Sequence, residues 1–416
     1  MVRQQHSLYS AYNLQLLPKR NNCVAATVLA TAALIIGPLS PEPCLSATNV
    51  SDTIYQSGSR TVTSSMTSTT TNDVFANATI ALTNTTKPKQ KSTGPVTYDN
   101  IILPDNETNE HLFELTIDAP HICGHGADVG LEVLAVIHSA PAHLKHRNYI
   151  RRTWGNSKWY EQIGLKVVFV LGNPGNESRQ RALELEADTY KDMIQEDFAD
   201  HYRNLTHKAI AWLKWVSMNC PQIQFVLKSD DDMYINAHKL VPHLYRTAQY
   251  NSSYATNAIY CYFYAHAVVQ RKSSDKWFVN ESEYRQDQYG PHCPGLAYIL
   301  SVDLVPKLYK ISRRTRFFWI DDIYVTGFLA ENVEKLLVSE SDSDPLTINQ
   351  SSRASTSIQN TIHYHRFNGL YSVVPKNQWN AVKDGTLVLA LNANLNERYR
   401  LWKETARQMN LYGFAN

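Results

Sequence analysis

Short apolar runs that alternate with stretches of helical character limit most strongly how this chain of 416 residues can fold. Three runs predict buried strands: LEVLAVIH at 131–138, KVVFVL at 166–171 and IQFVL at 223–227. Helical stretches occur between them, at 142–154, 177–189 and 205–216. This alternation favours an α/β sheet, in which ligands gather at the carboxyl ends of the strands.

Three consecutive acidic residues, Asp230, Asp231 and Asp232, stand at the carboxyl end of the third run. Neighbouring carboxylates repel one another and lose hydration when buried, so they either form a solvated turn or surround a cation. Strand alternation puts Asp230 and Asp232 on one side and Asp231 on the other. A D-x-D pair can hold Mg²⁺ or Mn²⁺ through oxygen and leave coordination positions for substrate phosphates. The triplet alone leaves both interpretations open.

The N-terminus has the pattern of a membrane anchor. Residues 1–22 contain Arg3, Lys19 and Arg20 but no acid, and residues 23–39 follow without a charge. We expect a cytoplasmic tail at 1–22, a single transmembrane signal anchor at 23–39 and a lumenal remainder. A cleaved signal peptide is the alternative, although its apolar core is usually shorter. A short span also suits a thin, early secretory membrane.

Residues 40–117 are predicted to form a disordered lumenal stem, because Ser, Thr and Asn dominate from about residue 46 to 94. Asn-X-Ser/Thr sequons here and further along agree with a lumenal glycoprotein. Residues 118–416 are expected to be the folded catalytic domain. A polar stretch at 339–357 predicts a surface loop within it. The formal charge of +2, without a long basic run, argues against nucleic acid as a partner.

Five cysteines follow the predicted span: Cys44, Cys123, Cys220, Cys261 and Cys293. An odd number in an oxidising compartment leaves at least one unpaired or paired between chains. Cys44, close to the membrane, is the candidate for the odd one. The alternative is that several of the five are buried thiols.

Several longer motifs carry a family resemblance. KSDDDMYIN at 228–236 resembles the KxDDDxxxN signature of the β-1,3-glycosyltransferases, a family of galactosyl- and N-acetylglucosaminyltransferases. RNYIRRTWG at 147–155, VVFVLG at 167–172, the block at 188–208 and WIDDIYVTG at 319–327 resemble other motifs of this family, in the same order. The resemblance extends over about residues 123–367.

The resemblance implies a GT-A, Rossmann-like mixed central sheet flanked by helices, and an inverting reaction that uses a UDP-sugar. It implies Mn²⁺ held by Asp232 and Asp230, with His365 as a third ligand and His363 as its substitute. Inversion needs a carboxylate base for the acceptor hydroxyl. We assign Asp322 to that role, with Asp321 as runner-up. Both acids could instead cap a helix beginning near Tyr324.

Donor binding is assigned to Arg147, Arg151, Asp192, Asp230 and Asp231. Arginine matches phosphate geometry well. Ion pairing inside the fold, for example between these arginines and Asp192, is the alternative for the first three.

One loop departs from the family pattern. In YGPHCPGLAY at 289–298, Leu296 and Ala297 stand where the family has glycines, which puts close backbone approach to a substrate in question. The family's cysteine after the E-D-V-Y-x-G block is absent, so Cys293 pairs with Cys261 or with nothing.

The expected protein is therefore a single-pass type II enzyme of the Golgi membrane. It would transfer galactose, or N-acetylglucosamine, from UDP-galactose or UDP-N-acetylglucosamine in β-1,3 linkage to a glycan acceptor on glycoprotein or glycolipid. One alternative is an inactive sugar-binding relative, motivated by the altered loop. The other is a metal-dependent phosphohydrolase, which would need further ligands, such as paired His and Asp motifs, that the sequence does not make evident.

Overall fold

The computed structural model describes residue 98 and residues 101–410, apart from 105–106, 124–132, 157, 160–162, 334–360, 367–370, 373–374 and 393. All of them lie in the second of two compact units, Pro88–Asn416. The predicted tail, the predicted span at 23–39, Cys44, most of the stem and the polar loop at 339–357 are outside the described residues. Within the described ranges, no helix has both the length and the apolar character needed to cross a bilayer.

The described chain alternates strands and helices. The strands are β1 (Leu115–Ile117), β2 (Val133–His138), β3 (Leu165–Asn173), β4 (Met193–Ala199), β5 (Phe225–Asp230), β6 (Met233–Ile235), β7 (Ala258–Cys261), β8 (Ala267–Val268), β9 (Gln288–Tyr289), β10 (Ala297–Ser301), β11 (His363–Arg366), β12 (Tyr371–Ser372) and β13 (Leu389–Leu391). The helices are α1 (Leu144–Arg152), α2 (Glu177–Tyr190), α3 (Leu205–Asn219), α4 (Ala237–Tyr250), α5 (Leu304–Ser312), α6 (Asp321–Ile323, continuing as the π-helical segment Tyr324–Leu329), α7 (Pro375–Lys383) and α8 (Leu395–Gln408).

A mixed sheet of eight strands lies at the centre, in the order β1-β4-β3-β2-β5-β10-β7-β11. Strands β4, β3, β2 and β5 run parallel, whereas β10 is antiparallel to both β5 and β7. Strands β12, β13 and β6 form a second, smaller sheet. The predicted α/β class with a mixed central sheet and flanking helices is confirmed.

Helices cover both faces of the central sheet, which explains why β2 is an unbroken apolar run rather than an alternating one. All six residues of β2 are buried. Leu134 and Val136 belong to the core that includes Trp212 of α3. Val133, Ala135 and Ile137 belong to the opposite core, with Tyr149 of α1 and Trp402 of α8.

The observed elements lie close to the predicted ones, with one difference that bears on function. Strand β5 begins at Phe225 and continues to Asp230, three residues beyond the predicted end. It continues because β10 pairs alongside, and the Asp230 N–H donates to the Leu296 carbonyl at 3.1 Å. Asp230 is therefore the last residue of the strand, and the turn contains only Asp231 and Asp232.

Residues before the predicted boundary between stem and domain at 117/118 also pack into the fold. Tyr98 is 1% exposed in the core, where its N–H donates to Glu331, and β1 pairs with β4. The Ser/Thr/Asn bias ends near residue 94. The apolar residues that follow, such as Tyr98 and Ile101, are isolated and do not show the periodicity that indicates a helix or a strand.

Two disulfides link the four described cysteines, Cys123–Cys220 and Cys261–Cys293. The pairing of Cys293 with Cys261 is confirmed, and these four cysteines are not buried thiols. Cys261 ends β7, so the second disulfide fixes the loop before β10 to the carboxyl end of β7.

Candidate active site

The acidic triplet lies where β2 and β5 end side by side. These strands are parallel, with His138 opposite Asp230 in the register. The β5–β6 turn then carries Asp231 and Asp232. The carboxyl edge of a parallel sheet is where ligands usually bind in α/β proteins.

A buried lysine, Lys228, occupies the space beside Asp230. Its Nζ lies 2.9 Å from Asp230 Oδ1 and 3.4 Å from Asp321 Oδ2, and donates to the Gly295 carbonyl at 2.5 Å. Burial alone would lower the pKa of Lys228, but the charges of Asp230 and Asp321 raise it above its ordinary value. The amine therefore stays charged and joins the acidic strand, the β10 loop and the start of α6.

Asp230 has one oxygen engaged by Lys228 and a side chain that is 38% exposed. Loss of hydration raises its pKa to about 6, with Lys228 acting in the opposite direction. Because the side chain is more than a third exposed, solvent screens part of this shift. The exposure also leaves the carboxylate open to a ligand.

Asp231 faces a different set of partners. Its carboxylate accepts a hydrogen bond from Ser139 Oγ at 2.7 Å, and lies 2.9 Å from His143 Nδ1 and 3.0 Å from His146 Nδ1. Burial by itself would raise the pKa of Asp231, but the hydrogen bonds from the two histidines hold it well below its usual range. Both oxygens are engaged, so the assignment of Asp231 to the donor site finds no support in its contacts.

Asp232 carries a buried oxygen, Oδ1, that has no hydrogen-bond partner among the described residues. Burial and the neighbouring charge of Asp231 raise the pKa of this carboxyl. Arg398 of α8 lies nearby, donating Nη1 to the Asp231 carbonyl at 2.6 Å. An orphaned carboxylate oxygen beside a second exposed carboxylate is the donor set that a hard divalent cation requires.

Asp321 and Asp322 form the first turn of α6, on the other side of Lys228. Asp322 Oδ2 accepts the Gly295 N–H at 2.7 Å, and Oδ1 accepts the Ile323 N–H at 3.0 Å. Burial and the charge of Asp321 raise the pKa of Asp322 to about 7, so it exchanges a proton near neutrality. Asp321 is only 6% exposed and lies against Lys228, which favours Asp322 as the base.

The helix-cap alternative is only partly right. The helix begins at Asp321 rather than near Tyr324, and Ile320 occupies the N-cap position without a side-chain hydrogen bond. Both acids instead lie in the first turn, where the helix dipole favours negative charge.

A galactosyltransferase family model matches residues 145–339, which include both acidic groups. This match covers slightly less than half of the chain.

Among curated proteins, the chain is 32% identical over 193 residues to human beta-1,3-galactosyltransferase 5, covering 46% of this chain and 61% of the relative. The mouse protein of the same name is 32% identical over 199 residues, covering 48% and 63%. Mouse beta-1,3-galactosyltransferase 1 is 29% identical over 222 residues, covering 52% and 64%. The matches therefore span slightly less than two thirds of these relatives.

Solved structures are much more distant. A glycosyltransferase involved in glycosylation of the major capsid of PBCV-1 is 11% identical, covering 67% of this chain and 99% of that one, with a TM-score of 0.30. The galactosyltransferase LgtC, solved with donor and acceptor sugar analogs, is 8% identical, covering 64% and 94%, also with a TM-score of 0.30. Scores of this size are too low to establish a shared fold.

Within the region that matches the family model, Arg147 and Arg151 form ion pairs inside the fold. Arg147 is fully buried and donates Nε and Nη2 to Glu186 at 2.7 and 2.6 Å. Arg151 donates to Glu186 at 2.6 Å and forms two bonds of 2.8 Å with Asp192. The structure therefore favours the ion-pair alternative for Arg147, Arg151 and Asp192. These donors and acceptors are already engaged within the fold, and Arg147 reaches the triplet only through Ser139.

His365 is not brought to the triplet either. It lies on β11, three strands from β5, which is about 14 Å at the usual spacing between strands. Its Nε2 lies 2.7 Å from the Ser253 carbonyl, and its ring stacks on Tyr254 with 4.1 Å between centroids. This placement gives no support to a metal-ligand role at the triplet for His365, or for His363 two residues earlier on the same strand.

The altered loop retains its key glycine. Ala297 starts β10 and is buried, and Leu296 packs against the core, so both replacements are accommodated. Gly295 is the residue in close approach, because a Cβ there would lie 3.3 Å from the Asp322 Cβ. The loss of glycine at 296 and 297 therefore leaves the contact with the candidate base intact.

Sequence reasoning missed four residues at this site: Lys228, His143, His146 and Arg398. Lys228 is two residues from Asp230 on a strand, so alternation could have placed them on one side. His143 and His146 have the spacing of one helix face within a predicted helix. Nothing in the local sequence around Arg398 connects it with the triplet, which is more than 160 residues earlier.

Proposed function

We propose that this protein is an inverting β-1,3-glycosyltransferase of the GT-A type, which transfers galactose, or N-acetylglucosamine, from a UDP-sugar to a glycan acceptor. The observation that carries the proposal is the position of Lys228. It joins Asp230 of the triplet to Asp321 and to the Gly295 loop that contacts Asp322. The carboxylates suited to bind a cation, Asp230 and Asp232, and the carboxylate suited to accept a proton, Asp322, thus lie at one edge of the sheet. This edge falls inside the region that matches the galactosyltransferase family model.

A divalent cation, Mn²⁺ in our proposal, would be held by Asp232 and Asp230. The buried and unpartnered Oδ1 of Asp232 and the exposed carboxylate of Asp230 support this assignment. When bound, such a cation supplies a positive charge that stabilises the departing diphosphate. Without a cation, the carboxylates would repel the diphosphate of the donor.

Asp322 would accept the proton of the acceptor hydroxyl as that oxygen attacks the anomeric carbon. The N–H groups of Gly295 and Ile323 hold the two carboxylate oxygens in place. A pKa of about 7 is suited to a general base, because the group is largely ionised at slightly alkaline pH yet still basic. Lys228 contacts Asp321 and Asp230, so it offsets the charge of neighbouring acids without neutralising Asp322 through a direct bond.

UDP-galactose is the favoured donor because the curated relatives named above are beta-1,3-galactosyltransferases. UDP-N-acetylglucosamine is retained as the alternative, and the acceptor glycan could belong to a glycoprotein or a glycolipid. We further propose that residues 23–39 anchor the protein as a single-pass type II protein of the Golgi membrane. The uncharged run after a basic tail, together with the two disulfides, supports that location.

The decisive experiment is a donor panel of UDP-sugars offered with an array of glycan acceptors to the purified full-length protein with Mn²⁺. We expect UDP release coupled to a glycosylated acceptor, with the new linkage determined as β-1,3. Asp232→Asn and Asp322→Asn should each lower transfer by at least about 10²-fold, while Asp188→Asn on the exposed face of α2 should leave it unchanged. Cleavage of the donor to UMP and sugar 1-phosphate would favour the phosphohydrolase, and sugar binding without turnover the inactive relative.

A further inference from the structure

Three potential metal ligands lie together beside the triplet. His143, His146 and Asp231, called here the His-His-Asp cluster, place their ligand atoms within 4.8 Å of one another. The two Nδ1 atoms lie 2.9 and 3.0 Å from the Asp231 oxygens. The imidazole rings are 4.7 Å apart between centroids, with 32° between their planes.

The fold itself explains the juxtaposition. Strand β2 runs parallel to β5, so the chain leaving β2 enters α1 beside the β5–β6 turn. His143 precedes the first residue of α1, and His146 follows three residues later on the same face. Both rings thereby point to the turn that contains Asp231.

Two imidazole nitrogens and one carboxylate oxygen differ chemically from the oxygen-only pair of Asp230 and Asp232. Imidazole suits Zn²⁺, Co²⁺ and Ni²⁺, whereas carboxylates alone suit Mg²⁺ and Mn²⁺. A tetrahedral ion with bonds of about 2.0–2.2 Å needs ligand atoms about 3.3–3.6 Å apart. The observed Nδ1–oxygen separations are 2.9–3.2 Å, so a shift of about 0.5 Å would admit the ion.

A second layer of contacts fixes the carboxylate. Ser139 Oγ donates to Asp231 Oδ2 at 2.7 Å, and Arg147 Nη1 donates to Ser139 Oγ at 3.0 Å. Arg147 is in turn held by two bonds to Glu186. Such outer contacts orient metal ligands and contribute to affinity in protein metal sites.

The cluster is open to solvent on its histidine side. The side chain of His143 is 46% exposed and that of His146 is 25% exposed, whereas that of Asp231 is 6% exposed. An ion can therefore enter beside the rings, and water can complete its coordination. Positive charges close by come from Arg398, Arg147 and Lys208, and negative charges from Asp231 and Asp232.

We propose that the His-His-Asp cluster is a site for a transition-metal cation of the Zn²⁺ type, separate from the cation of the diphosphate site. Binding links the start of α1 to the β5–β6 turn and so stabilises the turn that presents the triplet. This inference does not rest on the proposed transferase function, since it concerns only ligands, distances and access. It predicts metal binding even in a protein that transfers no sugar.

The test uses the full-length protein freed of metal with a chelator, then titrated with Zn²⁺ by calorimetry and with Co²⁺ as a visible spectroscopic probe. We expect one ion per chain to give the absorption of nitrogen- and oxygen-coordinated, four-coordinate Co²⁺, apart from any ion at the Asp230–Asp232 pair. His143→Ala and His146→Ala should each weaken binding at least about tenfold. His266→Ala, at an exposed histidine outside the cluster, should leave it unchanged.

Asp232→Asn separates this inference from the proposed function, because it should strongly lower transfer yet leave the Co²⁺ spectrum intact. Circular dichroism of each variant verifies that the fold survives. Two results would overturn the inference: no stoichiometric binding to the unaltered protein, or undiminished affinity in a folded His143→Ala/His146→Ala double variant. Loss of Co²⁺ binding in Asp232→Asn, with binding retained in both histidine variants, would instead assign the ion to the triplet.

Discussion

The backbone N–H of Gly295 donates to Oδ2 of Asp322 across 2.7 Å. The carbonyl of Gly295 accepts from Lys228, which also contacts Asp230. One peptide segment of the β10 loop therefore sets the distance between the candidate base and the acidic strand. The Cys261–Cys293 disulfide fixes that segment two residues earlier, so the base is positioned by covalent as well as hydrogen-bonded contacts.

Replacing Asp322 by Asn should remove the base while keeping the shape of the side chain. We expect kcat for transfer to fall by about 10²- to 10⁴-fold, because that is the usual contribution of a positioned general base. UDP release is measured with saturating donor and acceptor, and thermal unfolding shows whether the variant is folded. Asp188→Asn, in an exposed ion pair with Lys191, is the matched control. Unchanged kcat in folded Asp322→Asn would remove this residue from the mechanism.

The pH dependence of transfer should report the same group. Burial and then the charge of Asp321 raise the pKa of Asp322 to about 7, and a base is active only when ionised. Activity, measured as kcat/KM, should therefore be lost as the pH falls through about 7. Asp321→Asn removes the neighbouring charge, so it should lower the pKa of Asp322. The loss of kcat/KM on the acidic side of the pH profile should then occur at a lower pH. An unchanged pH profile in a folded Asp321→Asn variant would contradict the assignment of the raised pKa to the charge of Asp321.

The central elements could be predicted because β2, β3 and β5 are apolar on both faces and α3 has one apolar stripe. Such patterns are local and depend on burial alone. The end of β5 was misplaced because Asp230 is polar, and what keeps it in the strand is pairing with β10, some 67 residues later. The candidate base, Asp322, and the acid pair, Asp230 and Asp232, are predicted from motifs of the resembled family. Such motifs predict a role for a residue but not the contacts that it makes.

The contacts of the predicted site residues could not be foreseen, because charged side chains do not reveal their partners in sequence. Arg147 and Arg151 are residues of the type that binds phosphate, yet they form ion pairs with Glu186 and Asp192 within the fold. His365 lies on a strand with the expected alternation, but the sheet order places it three strands from the triplet. Partners so distant along the chain become visible only when the strand order is known.

Lys228 should be essential to the stability of the acidic edge. Replacing it by Met leaves Asp230 and Asp321 without their buried counter-charge, so we expect a loss of about 3–5 kcal/mol in the free energy of unfolding. Chemical denaturation measures this loss. Lys191→Met, in an exposed pair with Asp188, should cost less than about 1 kcal/mol.

The double variant Lys228→Met/Asp230→Asn provides a further check. It removes one of the two carboxylates that lose their counter-charge, so it should recover part of the stability lost in Lys228→Met. Equal stability of the single and double variants would show that Lys228 acts through packing rather than through charge.

Removing each disulfide in turn should distinguish an effect on the stability of the fold from an effect on the position of Asp322. Cys261–Cys293 closes a separation of 32 residues and Cys123–Cys220 one of 97. Loop-closure entropy predicts losses of about 4 and 5 kcal/mol when each pair is replaced by Ser. Of these two disulfides, Cys261–Cys293 lies next to Gly295. Cys220 follows α3 and precedes the amino end of β5, whereas Asp230 lies at the carboxyl end of that strand.

We therefore expect Cys261→Ser/Cys293→Ser to lower kcat beyond its effect on folding, and Cys123→Ser/Cys220→Ser to lower stability while folded protein retains its kcat. The measurement is kcat per folded molecule, at a temperature where denaturation curves show both variants to be native. Equal kcat in the two variants would mean that the hydrogen bonds of Gly295 hold Asp322 without help from Cys293. A lower kcat in the Cys123/Cys220 variant alone would contradict the assignment of the catalytic edge to the carboxyl end of β5.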